Sequence, residues 1–240
     1  ERQANRCTGT RQLPEQPNSL PAWTHFQNPL IPSEVEGYTH PSAGPSTSLG
    51  MSELGCFNQP AIWSSFTPMH AIFYNGPVNA GGMRNTQQLL ADAVAKRLDD
   101  IVLVLSSNGG DVASGMGLYH FIRALPVPVR LHAAGVCSSI AATILLASDI
   151  RTGADPTHFV LHAATYREGP NQGQRASNTA VVTAPYRDRL GWDEARIDAC
   201  FTDAETALSV RQACDWGMVQ AIAELRLAPG DTTAIVSIPR

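Results

Sequence analysis

The apolar positions of this chain change period repeatedly between residues 68 and 222. His70 to Tyr74 reads as a strand, closed by Asn75-Gly76-Pro77. From Asn85 to Leu98 the apolar residues Leu89, Leu90, Ala93, Val94 and Leu98 recur at helical spacing. Ile101 to Leu105 is an unbroken apolar run, the pattern of a strand buried on both faces of a parallel sheet. Asp111 to Leu125 predicts a second helix, with Asp111 at its start and Pro126 beyond its end. Val127 to Ala133 predicts a third strand, Ser139 to Ala147 a third helix and His158 to His162 a fourth strand. A polar stretch follows, then the helix-like Trp192 to Cys200 and Ser209 to Trp216, and a short strand within Val219 to Ile222.

Strands alternating with helices at this spacing imply an α/β fold of stacked βα units on a parallel sheet. The ordered domain is expected over residues 67–225, with a loose tail at 226–240. Residues 1–66 are rich in Pro, Ser, Thr, Asn and Gly and hold no sustained apolar period, so they read as a mostly disordered extension. Met51 is a candidate internal start there, and Trp23, Phe26 and Trp63 are candidates to dock on the core.

Composition narrows the function. A net charge of −4 without a basic stripe gives no footprint for nucleic acid. The longest strongly apolar run, Ile140 to Ala147, is too short to span a bilayer, so no membrane is expected. No charged-then-apolar leader opens the chain. The five cysteines are scattered and never form a CxxC pair, which argues against a disulfide framework or a zinc site and for a reducing, cytoplasmic setting. Neither HExxH nor a clustered His, Cys and carboxylate set occurs, and GxxxxGK[ST] is absent, so neither metal nor cofactor is expected.

Chemistry gathers where strands end. Leu105-Ser106-Ser107-Asn108-Gly109-Gly110-Asp111 joins a strand to a helix through glycines, which let backbone N–H groups approach an oxyanion closely. An ordinary βα turn would use the same glycines. Ala133-Ala134-Gly135-Val136-Cys137-Ser138-Ser139-Ile140 is a second strand-to-helix junction lined by small residues. Either serine there could cap the helix, or one could be a nucleophile at its positive end. His162 closes the fourth strand, where an imidazole can act as a general base. All three segments fall at the C-terminal strand edge, where α/β folds collect reactive groups. An acid to orient His162 could be Glu205 or Asp203, whereas Asp193, Asp198 and Asp215 fall in helix-like stretches. A serine–lysine dyad is excluded in practice: against sixteen arginines there is one lysine, Lys96, in a helix-like stretch before the second strand.

Over roughly Ala71 to Ala223 the chain resembles the Clp protease proteolytic subunits, the ClpP-like serine peptidases of the ClpP/crotonase fold. The resemblance is carried by Ser107-Asn108-Gly109-Gly110-Asp111-Val112-Ala113-Ser114-Gly115-Met116-Gly117-Leu118-Tyr119, by Gly135-Val136-Cys137-Ser138-Ser139-Ile140-Ala141-Ala142 and by Phe159-Val160-Leu161-His162. It implies repeated ββα/βα units, Ser139 as nucleophile, His162 as base, and the Gly110 and Ile140 N–H groups as oxyanion hole. Counting back from Ser209-Val210-Arg211-Gln212-Ala213-Cys214-Asp215-Trp216-Gly217 puts Glu205 in the place of the acid. It further implies unfolded polypeptide as substrate, bound as an added strand, a homo-oligomeric ring and an ATP-driven unfoldase as partner. Departures from the family pattern are Asn108 for Pro, Ile140-Ala141 for Met-Gly, Ala163-Ala164 for Gln-Pro, and Glu205 for Asp. The stretch from His162 to Glu205, which joins two rings in the family, is a few residues short and contains Pro185. Two alternatives accompany this reading: a crotonase-type acyl-CoA enzyme, and a catalytically inactive structural subunit of a mixed ring.

Overall fold

The computed structural model describes residues 67–166, 168–236 and 238. The expectations for residues 1–66 lie outside the described residues. Among the described residues, eight strands and six helices follow one another as β1 (Met69–Asn75), α1 (Ala80–Ala95), β2 (Asp100–Ser107), α2 (Val112–Ala124), β3 (Val129–Ser138), α3 (Ile140–Leu145), β4 (Arg151–Gly153), β5 (His158–Leu161), α4 (Thr179–Leu190), α5 (Glu194–Cys200), β6 (Thr206–Ser209), α6 (Val210–Asp215), β7 (Ala221–Ile222) and β8 (Thr232–Ile235). The main sheet runs β6-β5-β3-β2-β1-β8, with β4 attached to β3 and β7 to β4. Every pairing among them is parallel except β5 with β6.

The apolar run Ile101 to Leu105 becomes β2 at the sheet centre, flanked by β1 and β3 and buried on both faces. Alternate side chains serve two clusters. Ile101, Leu103 and Leu105 join the main core with Leu90, Met116, Ile122, Ile140 and Ile144. Val102 and Val104 pack with Met69 on the other face. Helix α2 is capped by Asp111 as expected, its side chain accepting from the Ser114 N–H at 2.7 Å, whereas α1 begins at Ala80 rather than Asn85, capped by Asn79, which accepts from the Gly82 N–H at 2.8 Å.

Strand β3 changes partner midway. Leu131 to Ala133 pair with β4, whereas Val136 to Ser138 pair with β5. Between them the register against β2 slips, from Leu105 opposite Ala133 to Ser107 opposite Cys137. Between these pairs one residue of β2, Ser106, faces three of β3, Ala134 to Val136, a bulge with Gly135 at φ 79°. Buried Thr157 stitches it: its hydroxyl accepts from the Gly135 N–H at 3.2 Å and donates to the Ala133 carbonyl at 3.3 Å. The bulge turns the second half of β3 away from β4 and delivers Ser139 beside the end of β5.

Several elements depart from the sequence-based reading. The polar stretch after His162 contains α4, which continues through Pro185 and buries Val182, Thr183 and Tyr186. The expected loose tail contains β8, which pairs with β1 from His70–Thr232 to Phe73–Ile235. Short β4 and β6 also escaped prediction. Among the cysteines, Cys214 is disulfide-bonded, while Cys137 and Cys200 are free and buried.

Candidate active site

Three chain segments meet at the C-terminal edge of β2, β3 and β5. The first is the glycine turn after β2. The Ser107 hydroxyl accepts from the Gly109 N–H at 3.0 Å, tightening the turn. Val78 then bridges it, donating its N–H to Gly109 O and accepting from the Asp111 N–H, both at 2.8 Å. The Gly110 N–H stays out of this bridge. A Cβ on Gly110 would run into the Val78 backbone, and one on Gly109 would lie 2.7 Å from Ser139 Cβ and 2.8 Å from Ser138 O. Gly109 therefore serves the close approach of the loop to the serine turn, and Gly110 its approach to the Val78 backbone, beyond their positive φ.

The second segment is the junction of β3 and α3. Ser139 sits at the helix N-cap position with φ 55° and ψ −129°, a backbone that L-residues rarely adopt. Its N–H donates to Val160 O at 2.7 Å, locking the turn to β5. Its side chain makes no capping hydrogen bond. The geometry separates the two serines. Ser138 is buried at the end of β3, while the Ser139 hydroxyl is half-buried and unbonded among the described residues. Ile140 opens the helix, so its N–H has no acceptor within it. Ile140 is pressed against α2 at Gly115, where any Cβ would collide with its side chain. Cys137, two residues before Ser139, is fully buried and burial pushes its thiol up, which leaves it a poor rival nucleophile.

The third segment follows β5. Register places Ser138 opposite Val160, so His162 leaves its strand just beyond Ser139. His162 is half-buried, and its Nδ1 lies 2.7 Å from the Ala163 carbonyl. A carbonyl only accepts, so Nδ1 carries the proton and Nε2 the lone pair. No hydrogen bond joins Ser139 Oγ to His162 in this structure.

The acids are placed but not engaged. β5 and β6 pair antiparallel up to Leu161 opposite Thr206, so Glu205 occupies the next register position, opposite His162. Glu205 is exposed and bonds to nothing among the described residues; Asp203 is exposed two residues earlier. Sequence reasoning missed the roles of Val78, Thr157 and the Ala163 carbonyl. Only Gly135 hinted at the bulge that Thr157 ties. Among the described residues no group of three or more His, Cys, Asp and Glu could hold a metal ion. None of their helices is long and apolar enough to cross a membrane.

The family model for Clp protease matches residues 58–226. ATP-dependent Clp protease proteolytic subunit 2 of Treponema denticola is 24% identical over 182 residues, 69% of this chain and 88% of that one. The ATP-dependent Clp protease proteolytic subunit of Pleurastrum terricola is 29% identical over 137 residues, 52% of this chain and 67% of that one. A solved structure of a ClpP1 mutant from Listeria monocytogenes shares the fold, with TM-score 0.57 at 21% identity over 65% of this chain and 92% of that one. The α/β architecture with its largely parallel sheet is the fold of that structure, and the family match, spanning well over half the residues, shows that the chain belongs to the Clp protease family.

Proposed function

We propose that this chain is a serine endopeptidase that hydrolyses peptide bonds through an acyl-enzyme on Ser139. One observation carries the reading: a serine held at φ 55° on a strand-to-helix turn, its hydroxyl unbonded among the described residues, against the Gly109-Gly110 loop. A serine kept only as a cap would bond the helix it caps, and strain of this kind collects at reactive sites.

The steps follow from the atoms present. Ser139 Oγ attacks the scissile carbonyl carbon while its proton passes to His162 Nε2, the nitrogen left with a lone pair. The oxyanion is stabilised by the N–H groups of Gly110 and Ile140, neither of which is spent on a neighbouring carbonyl. His162 returns the proton to the leaving amine as the C–N bond breaks. Water, deprotonated by His162, then cleaves the ester and restores Ser139. An extended polypeptide would lie along the glycine loop as an added strand. Glu205 flanks the base by register.

The relatives named as proteolytic subunits of ATP-dependent Clp proteases support a wider proposal. This chain forms a homo-oligomeric ring and receives unfolded polypeptide from a separate ATP-driven unfoldase. Membership of the Clp protease family weighs against the acyl-CoA alternative. The disulfide bond at Cys214 counts against the reducing, cytoplasmic setting expected from the scattered cysteines.

A fluorophosphonate probe tests the nucleophile. The wild-type chain and Ser138→Ala should label, and Ser139→Ala should not. Labelling that persists in Ser139→Ala would overturn the assignment, and a wild-type chain that never labels would point to the inactive subunit of a mixed ring.

A further inference from the structure

The base at this site is held by backbone, and one buried side chain holds that backbone. His162 Nδ1–H donates to the Ala163 carbonyl at 2.7 Å. That carbonyl shares a peptide plane with the Ala164 N–H, and the Ala164 N–H donates to Thr179 Oγ1 at 3.1 Å. Thr179 is 6% exposed, and its hydroxyl donates in turn to the Ala176 carbonyl at 2.9 Å. On the other side of the same residue, the Ala163 N–H donates to Thr202 O at 2.8 Å. Ala163 itself is wholly buried. A planar peptide gripped at its N–H cannot turn its C=O, so the acceptor facing His162 is fixed in direction. Glu205, the carboxylate in register with His162, is exposed and contributes no hydrogen bond to it.

We propose that Thr179 is a positioning residue for the base: through the Ala163–Ala164 peptide it fixes the tautomer and ring plane of His162, the task a triad carboxylate would otherwise perform. Thr179 touches no reacting atom. It acts by keeping one carbonyl aimed at Nδ1, which keeps the lone pair on Nε2. Glu205 is then dispensable for orientation. This inference rests on His162 being the base, yet its central claim concerns a tautomer and is measurable apart from catalysis.

The experiment compares Thr179→Val, Thr179→Ser and Glu205→Gln in the full chain. Two readouts are taken: the ¹⁵N signals of the His162 imidazole near neutral pH, assigned with His162→Gln, and the rate of fluorophosphonate labelling. Valine keeps the shape of Thr179 and removes the acceptor for Ala164 N–H. Thr179→Val should lose the Nδ1–H tautomer and slow labelling by about 10²-fold, the scale of a misplacement of roughly 1 Å in a reacting group. Thr179→Ser restores the hydroxyl and should recover both. Glu205→Gln should keep the Nδ1–H tautomer, because the exposed Glu205 side chain makes no hydrogen bond among the described residues. An Nδ1–H tautomer retained in Thr179→Val, its loss in Glu205→Gln, or an Nε2–H tautomer in the wild type would overturn the proposal. Should Thr179→Val not fold, Thr179→Ala, which also removes the acceptor for the Ala164 N–H, takes its place with the same readouts. Should the wild type not label at all, the imidazole spectrum still decides this point while the proposed peptidase activity fails separately.

Discussion

The two halves of β3 share a strand and little else. In the first half, His132 is buried at 1% exposure, its Nδ1 is 2.8 Å from Thr152 Oγ1, and the backbone is regular. Past the Gly135 bulge, the strand runs to Ser139, whose hydroxyl bonds to nothing among the described residues and whose backbone is strained. The first half has the marks of a closed core: His132 on Thr152, the Arg130 guanidinium donating to Asp100 at 2.6 Å, strands in register, β4 held by Arg151. The Arg151 guanidinium donates to the carbonyls of Ser148 at 2.6 Å, Met218 at 2.8 Å and Gly217 at 3.1 Å. The second half leaves a polar group unmatched and bends the chain to do so. Local conflict concentrated at one end of an otherwise consistent strand is what a reactive site produces. The bulge is what lets both coexist, because it separates the register of the two halves.

The largest way to sharpen that contrast uses pH. Burial, and secondarily the charge on Arg130, lower the His132 pKa from 6.5 to about 4. The sign follows from proton counts. Between pH 6.5 and 4 the unfolded chain binds a proton at this position that the folded chain refuses, so folding stability falls as pH falls through that window. The contribution is fully present above the unfolded pKa, and its loss by pH 4 is of the order of 3 kcal/mol. Urea unfolding of the wild type should become markedly easier from pH 7 to pH 4.5. His132→Asn, which cannot titrate, should lose a large part of that slope. Equal slopes in the two proteins would mean that the first half of β3 is not the closed core described here.

How much of this contrast could be read from the sequence depends on what carries it. β2 and the first half of β3 were legible because continuous apolar runs admit few alternatives. Gly109 and Gly110 were legible because close approach and tight turns demand small residues there, whereas Ser139 was told from Ser138 by the family resemblance alone. α4 was hidden by its polar composition and by Pro185, which gives up one helix hydrogen bond without ending the helix. β8 was hidden because Thr232 to Ile235 are mostly exposed and only Val236 beyond them is buried. The support for His162 was the least legible part. A carbonyl at Ala163 has no side-chain signature, and Thr179 lies in a stretch that reads as polar loop. The acid was sought among carboxylates, because sequence motifs can only point to side chains.

A smaller effect tests whether the bulge really couples the halves. Thr157→Val removes the hydroxyl that joins Gly135 N–H to Ala133 O and keeps the shape. The Ala133 carbonyl also accepts from the Ala154 N–H at 2.9 Å, so it keeps one partner. The expected loss of stability is therefore modest, about 1–2 kcal/mol by urea unfolding. Labelling at Ser139 should slow by more than that loss of stability alone explains, since the relaxed bulge shifts the second half of β3 relative to the first. A variant that loses stability yet labels at the wild-type rate would show that the position of Ser139 is set by β5 alone.

The smallest effect reaches the strain itself. At most positions a change from Ala to Gly costs stability, because glycine has more freedom to lose on folding. At φ 55° and ψ −129° the order should reverse. Ser139→Ala keeps a Cβ in a conformation that L-residues rarely adopt, whereas Ser139→Gly removes the cause of the penalty. Neither variant loses a side-chain hydrogen bond, because Ser139 makes none to a cap. Ser139→Gly should thus be the more stable of the two by about 1 kcal/mol in urea unfolding, while both are blank to the fluorophosphonate probe. Should Ser139→Ala prove the more stable, the turn would be relaxed rather than strained, and the second half of β3 would differ from the first only in exposure. The reversed order would instead mean that the protein sustains a standing cost at this one residue, a cost that an ordinary helix cap does not need.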